Sequence, residues 1–256
     1  MIRKYLSMHL KVALEYKASF ILTIIAQTLS MFLEIFAVEA LFYKFSLLDV
    51  YNINQLILSY SVIWLGFSLS ETFSRGFDHF ADLIVNGNFD LLLIRPRNIF
   101  LQVFGSDICY EKLGRVFLAL YLVISSFIKL VGSISILKIL LLILMILSSF
   151  ILFTSVFILC ASFCFKTVQG LEVINIFTIG TRTLAQYPMD IYNKVIRIIF
   201  TIVIPITFIN YYPIQYLNNT TSNILYLLCP LAVLVFLVIS TLIFKVGIKH
   251  YYSTGS

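Results

Sequence analysis

Residues 139–165, ILLLILMILSSFILFTSVFILCASFCF, form a run of 27 residues without a charged side chain. As an α-helix this run is about 40 Å long, more than the roughly 30 Å hydrocarbon core of a bilayer. Unpaired backbone groups are costly in lipid, so only helices and closed barrels cross a membrane. A barrel strand would alternate apolar and polar residues, and this run does not. The run therefore predicts a membrane-spanning helix.

The rest of the chain repeats this pattern. Of the 256 residues, 61% are apolar and only 12% are charged, a composition that no water-soluble domain of this length carries. Further apolar runs predict spans at residues 19–43, 55–73, 116–131, 168–187 and 224–244. We therefore expect one all-α polytopic membrane domain over residues 1–256, with about six transmembrane helices.

One apolar stretch, residues 198–209, is too short to cross comfortably. It has 12 residues and contains Pro205, while Pro188 and Pro213 mark further bends. We expect residues 188–213 to form a re-entrant hairpin on the exterior side before the last span. If residues 195–213 crossed instead, there would be seven spans and the C-terminus would lie outside.

The N-terminus predicts a surface helix. In residues 1–18, apolar positions alternate with polar and basic ones at close to a helical period, which is typical of a helix lying on the membrane surface. The first apolar run is too long for the hydrophobic region of a cleaved signal peptide, so we expect it to remain as a span.

The Lys and Arg residues set the orientation, because cytoplasmic loops carry an excess of them. With six spans and the N-terminus inside, 12 of the 18 lie on the cytoplasmic side. Both termini are therefore expected in the cytoplasm. Residues 75–115, between the second and third spans, hold five basic and five acidic residues. This neutral segment argues against binding of nucleic acid.

Sequence patterns typical of catalysis are missing. There is no G-x-x-x-x-G-K-[ST] phosphate loop, no H-E-x-x-H zinc motif and no G-x-S-x-G nucleophile elbow. The histidines, His9, His79 and His250, fall in predicted surface segments, and the four cysteines are scattered. We expect neither enzyme activity nor a metal or cofactor on this chain.

The connecting segment, as we call residues 75–115, contains helix signals. Residues 75–86 have apolar side chains at helical spacing, and Gly87 can end this helix in a left-handed cap. Pro96 forbids a continuing helix, and Asn98 can cap the next one. The segment is either a connector resting on the lipid surface or a docking element for a cytoplasmic partner.

Two stretches carry a resemblance to a known family. They are GFDHFADLIVNGNFDLLLIRPRN (residues 76–98) and the pair YPMDIY (187–192) and IPITFINYYP (204–213). The chain resembles the permease subunits of type 2 ATP-binding-cassette (ABC) exporters, in a branch where two related six-span permeases accompany one ATPase. The hydropathy layout agrees over nearly the whole chain, while the motifs cover about 50 residues.

The resemblance implies partners that the residues alone do not. We expect a second permease, identical or homologous, and two copies of an ABC ATPase that binds ATP and magnesium. The assembly would lie among the lipids of a bacterial plasma membrane. The connecting segment would be the coupling helix in a cleft of the ATPase, with contact candidates Phe77, Asp78, Phe80, Asp90, Arg95 and Arg97. Arg95 and Arg97 could equally be orientation charges facing lipid phosphate.

Charged residues inside the predicted spans need a partner, a proton or water. Glu34 lies near the middle of the first span, and the nearest partner by depth is Arg182 on the fifth. Glu172 lies close to Lys166, near the cytoplasmic end of the fifth span. Glu34, Arg182 and Glu172 face a translocation path or a permease interface, or they form buried structural ion pairs.

Small residues form two stripes that allow helices to approach closely. Ser148, Ser155 and Ser162 recur on the fourth span, and Ser59, Gly66 and Ser70 share a face of the second. Packing within the subunit is the expected use, and pairing of two permeases is the alternative.

The resemblance favours export, and the aromatic and aliphatic spans favour a hydrophobic or amphipathic cargo such as a drug, lipid or peptide. Three other classes stay open. An ion-gradient-driven secondary transporter would use Glu34 as a proton carrier, and a membrane-embedded enzyme would process lipids. The third class is a non-transporting sensor or assembly factor.

Overall fold

The computed structural model describes residues 2–44, 52–131, 135–167, 171–187, 189–219 and 223–252. Within these ranges the chain is helical and has no β-strand, which confirms the all-α prediction. It begins with α1 (Ile2–Glu15), α2 (Lys17–Lys44) and α3 (Ile53–Phe73). Asn52 starts α3 with a capping box, in which its side chain and that of Gln55 satisfy free backbone N–H groups.

Four short helices form most of the connecting segment: α4 (Arg75–Asp78), α5 (Phe80–Val85), α6 (Asn88–Ile94) and α7 (Ile99–Ser106). Two breaks have the causes predicted from the sequence. Gly87 has a left-handed φ of 67° between α5 and α6. The Asn98 side chain accepts a hydrogen bond of 2.9 Å from the backbone N–H of Phe100 and so caps α7.

The remaining helices are α8 (Leu113–Leu130), α9 (Ile136–Cys164), α10 (Leu171–Ala185), α11 (Lys194–Ile202), α12 (Tyr211–Leu217), α13 (Leu225–Leu228) and α14 (Val233–Lys249). Short 3-10 turns precede α8 and α14 and lie between α10 and α11.

Five helical segments are long and apolar enough to cross a membrane: Lys17–Ala40, Ile53–Phe73, Tyr110–Leu130, Ile136–Cys164 and Leu225–Lys249. They coincide with five of the predicted spans. The remaining predicted span, residues 168–187, is the fifth along the chain and corresponds to α10, which has 15 residues. Residues 168–170 lie outside the described part of the chain, so a sixth crossing stays a prediction.

Helix α3 is the centre of the bundle. Of its most apolar window, 83% is buried, against 17–39% in the other candidate spans. Helices α8 and α9 pack along α3, and α14 packs along α9. A Cβ atom at Gly66 would collide with Ser149, and the Ser70 hydroxyl donates a hydrogen bond of 2.9 Å to the Phe150 carbonyl. The predicted packing role of the small residues is confirmed at these two positions.

The predicted exterior hairpin contains α11, a helix of nine residues. Such a helix is about 13 Å long, less than half the hydrocarbon core. The backbone N–H of Ile206 donates to the Phe200 carbonyl at 3.0 Å, so the chain turns at Pro205 after α11. The exterior re-entrant hairpin over residues 188–213 stays a prediction, and Pro188 lies outside the described residues.

Candidate functional site

A buried ion-pair network lies where α3, α4 and α8 meet. The Glu71 carboxylate, near the end of α3, accepts hydrogen bonds from Arg75 and Arg115 at N···O distances of 2.9 Å. The Lys112 ammonium lies 3.6 Å from the same carboxylate. Arg75 also lies 3.4 Å from Asp78. One carboxylate therefore holds three cations that come from both ends of the connecting segment.

The network explains how a charge is kept at the end of an apolar helix. The Glu71 side chain is only 9% exposed, and a buried carboxylate is stable only when it is paired and hydrogen-bonded. Asp78 is less well compensated, because burial outweighs the attraction of Arg75 and raises the pKa of its carboxyl group. The first turn of the connecting segment is thus joined to two spans through buried charge.

Glu71 was not among the residues singled out from the sequence, since it ends an apolar run. The sequence does signal the pairing of Glu71 with Arg75, because residues four apart face each other on a helix. It does not signal the pairing of Glu71 with Arg115, because Arg115 lies 44 residues further along the chain.

An aromatic cluster packs the connecting segment against the ends of α9 and α14. Its members are Phe77, Phe80, Phe89, Phe100, Phe165, Phe244 and Tyr251. The Phe77 and Phe80 rings each lie 5.4 Å from Phe244, edge to face. Both side chains are completely buried.

Phe77 and Phe80 are expected contacts of an ATPase, and that contact stays a prediction. In this structure their side chains hold the connecting segment to the bundle. Asp78 is turned inward as well, towards Arg75. The Phe77 and Phe80 side chains have no exposed surface in this structure, whereas the Asp78 side chain is 14% exposed.

The docking patch, as we call Val85, Leu91, Ile94, Arg95 and Arg97, lies on the outer side of the connecting segment. The three apolar side chains are 52%, 54% and 79% exposed, and both arginines are exposed. The patch lies outside the five candidate spans. Exposed apolar side chains with polar neighbours are typical of a surface that binds another protein or a membrane.

Asp90 lies on the same helix as Leu91 of the docking patch and close to Tyr251. Burial, together with the nearby Asp90 carboxylate, raises the pKa of the Tyr251 hydroxyl. Asp90 is half-buried, so one side of it is available to a partner.

Two further contacts hold the connecting segment in place, one to α1 and one within the segment. The Tyr110 hydroxyl donates a hydrogen bond of 2.9 Å to the Leu6 carbonyl, which attaches α1 to the start of the third candidate span. The His79 ring lies 2.9 Å from Asp107 and joins the α4–α5 break to the end of α7. This hydrogen bond lowers the pKa of the Asp107 carboxyl group.

A second charged group lies inside the bundle. The Arg182 guanidinium on α10 lies 3.8 Å from the Glu34 carboxylate on α2, which confirms the pairing predicted from depth. It also lies over the Trp64 ring of α3, 4.3 Å from the ring centre. The Arg115 guanidinium lies 5.4 Å from the centre of the same ring. The ion-pair network and the Glu34–Arg182 pair therefore each place an arginine, Arg115 and Arg182, near the Trp64 ring.

The side chain of the third intramembrane candidate, Glu172, lies outside the described part of the chain. Among the described residues no group of three or more His, Cys, Asp or Glu side chains is arranged to hold a metal ion.

In a comparison with known protein families, the family model described as ABC-2 family transporter protein matches residues 28–255. No curated protein and no solved structure gives a significant match. The matched range includes the ion-pair network, the docking patch and the Glu34–Arg182 pair.

Proposed function

Because the chain belongs to the ABC-2 transporter family and is therefore the permease of an ABC transporter, we propose that it exports its cargo with energy from a separate ATPase. The ATPase would bind ATP and magnesium, and the chain would supply the membrane path and the surface on which the ATPase acts. Export and a hydrophobic or amphipathic cargo are parts of this proposal.

The docking patch is the observation that carries the proposal. Its apolar side chains are exposed on a segment that is otherwise firmly packed, and Arg95 and Arg97 lie beside them. A connector resting on lipid would also combine an apolar face with basic residues, so the binding experiment below decides between the two. Exposed apolar side chains with two arginines beside them are compatible with a protein partner, since Arg is enriched in such interfaces.

The packing behind the docking patch supports a mechanical role. The aromatic cluster joins the connecting segment to α9 and α14, and Glu71 joins it to α3 and α8. Packed interiors transmit displacement rather than absorb it. A movement of the ATPase against the patch would therefore reach four of the five candidate spans.

A binding experiment tests the docking patch. The double variant Leu91→Asp/Ile94→Asp places two carboxylates in the apolar centre and is expected to weaken retention of the cognate tagged ATPase by about tenfold or more. Ile224→Asp is the matched control, because Ile224 is 70% exposed but lies on the predicted exterior side. Equal retention by the double variant and the wild type would remove the assignment.

Coupling is tested separately from binding. The variant Asp90→Ala/Arg95→Ala keeps the apolar centre of the docking patch and is expected to retain the ATPase while uncoupling ATP hydrolysis from transport. Proteoliposomes containing both proteins give the two rates. A coupling ratio equal to that of the wild type would contradict the role of these two residues.

The assembly would contain a second permease, identical or homologous, and two ATPase copies in a bacterial plasma membrane. Both termini would lie in the cytoplasm and the hairpin outside. On a cysteine-free background, a cysteine introduced at Ser7 should react with an impermeant maleimide only after permeabilisation. One at Ile224 should react in intact cells, and the reverse pattern would overturn this topology.

Secondary transport is the competing mechanism, with Glu34 as the proton carrier. Transport that follows a proton gradient without the ATPase would support the competing mechanism. Transport that needs ATP and the ATPase would support the ABC mechanism.

A further inference from the structure

A crevice of about 370 Å³ lies between the ends of α9 and α14 that pack against the connecting segment. One face of α14 forms its first wall, because the lining residues follow each other at spacings of three and four: Ile243, Val246, Gly247 and His250. The second wall contains Phe163, Phe165 and Lys166, at or just after the end of α9. The volume is within the range of sites that bind small molecules.

The floor of the crevice is fixed by the aromatic cluster. A Cβ atom at Gly247 would collide with the Phe165 ring, so the glycine lets α14 come close to this ring. The Phe165 ring also lies 5.1 Å from Phe80 and 5.6 Å from Phe89, both in the connecting segment. A molecule in the crevice would therefore touch the same cluster that holds the connecting segment to the bundle.

The crevice opens onto the apolar surface of two candidate spans. Phe163, Ile243 and Val246 belong to the spans Ile136–Cys164 and Leu225–Lys249, and their side chains are 42–56% exposed. In a membrane-spanning helix such a surface lies against lipid chains. The molecules that can enter the crevice from this side are therefore the lipids of the membrane.

The polar end of the crevice is basic. Lys166 and His250 lie there and are both exposed, and no Asp or Glu is among the described residues that line the crevice. The His250 Nδ1 lies 2.9 Å from the Val246 carbonyl, which can only accept, so the opposite Nε2 edge of the ring is left for another partner. A basic pocket between spans, with apolar walls, has the character of a site for a phospholipid head group.

We propose that this crevice binds one anionic phospholipid of the surrounding membrane. The phosphate lies between Lys166 and His250, and the first part of an acyl chain covers Phe163, Ile243 and Val246. Through Phe165 the bound lipid stabilises the aromatic cluster, and with it the packing of the connecting segment. The lipid is a resident part of the fold and not the cargo, so the proposal does not depend on what is transported or in which direction.

Lipid binding is measured on the full-length chain without ATPase, nucleotide or cargo. The delipidated protein in mild detergent is titrated with phosphatidylglycerol or with phosphatidylcholine of identical acyl chains, and native mass spectrometry counts the lipid adducts. The first phosphatidylglycerol is expected to bind at least about fivefold more tightly than the first phosphatidylcholine. Phosphatidylglycerol should also raise the unfolding temperature more than phosphatidylcholine does, because it binds the folded chain.

Variants of the basic end test the head-group contact. Lys166→Gln is expected to remove most of the preference for phosphatidylglycerol, and Lys166→Arg to retain it. Lys249→Gln is the matched control, because it removes an equal, exposed charge one residue before His250 but does not line the crevice. An unchanged elution volume and lipid-free unfolding temperature show that each variant is folded.

A second pair of variants tests the apolar wall. Val246→Asp places a carboxylate inside the crevice and is expected to weaken the first phosphatidylglycerol about tenfold or more. Leu242→Asp is the control, since Leu242 is equally exposed one turn earlier on α14 but does not line the crevice.

Three results would overturn the proposal. They are equal affinity for the two lipids, an unchanged preference in Lys166→Gln, and a dimer of the chain that forms as lipid is removed and is lost in Val246→Asp. The last result would assign the crevice to a second copy of the permease. Because the ATPase is absent from these measurements, their failure leaves the proposed function intact, which the retention and coupling experiments decide.

Discussion

Replacing Glu71 by glutamine removes the charge at the centre of the ion-pair network and keeps the size of the side chain. Arg115 and Lys112 lose their carboxylate, whereas Arg75 keeps Asp78 at 3.4 Å. Each of the two 2.9 Å hydrogen bonds is charge-assisted and contributes about 1.5–3 kcal/mol. The amide oxygen still accepts one weaker bond. We therefore expect the free energy of unfolding to fall by about 2–4 kcal/mol.

The measurement is equilibrium unfolding in mixed detergent micelles, followed by Trp64 fluorescence. Glu15→Gln is the control, since Glu15 is exposed on α1 and its loss should change the unfolding free energy by less than about 0.5 kcal/mol. A double-mutant cycle with Arg115→Gln isolates the Glu71–Arg115 interaction and should give a coupling energy of about 1 kcal/mol or more.

The functional consequence follows from the position of Glu71 between the connecting segment and the spans. ATP hydrolysis by the bound ATPase should continue in Glu71→Gln while transport per ATP falls. A loss of less than about 0.5 kcal/mol together with no coupling to Arg115 would refute the network as a stabilising link. Normal transport per ATP would refute its mechanical role.

Three other predictions concern packing and pH. Phe80→Ala empties the middle of the aromatic cluster and should cost about 3–5 kcal/mol in the same unfolding assay. Gly66→Val forces a side chain into the contact between α3 and α9, and should cost about 1–3 kcal/mol. The lowered pKa of Asp107 means that its bond to His79 stabilises the fold above the ordinary carboxyl pKa of about 3.9 and is lost as the pH falls through the lowered value. Unfolding curves of Asp107→Asn should lack that acid-dependent part.

Local features of the fold could be predicted because they depend on neighbouring residues. The left-handed turn at Gly87 and the cap at Asn98 need only the chemistry of those side chains. The spans need only an apolar run of sufficient length, and five of them agree with the structure. The Glu34–Arg182 pair could be predicted from depth alone, because few charges lie inside the spans.

The tertiary contacts of the site could not be predicted in this way. The amphipathic pattern correctly placed Phe77 and Phe80 on one side of a helix, but it could not tell a partner protein from Phe244, more than 160 residues away. Glu71 was missed for the related reason that its strongest partner outside its own helix lies 44 residues further on. Periodicity identifies a buried side but does not identify what covers it.

The enclosure of α3 contrasts with the exposure of α2. With 83% of its apolar window buried, α3 cannot tilt without displacing α8 and α9, whereas only 17% of the α2 window is buried. We therefore expect a change in bilayer thickness to act first on α2, which has the largest share of its apolar surface outside the bundle.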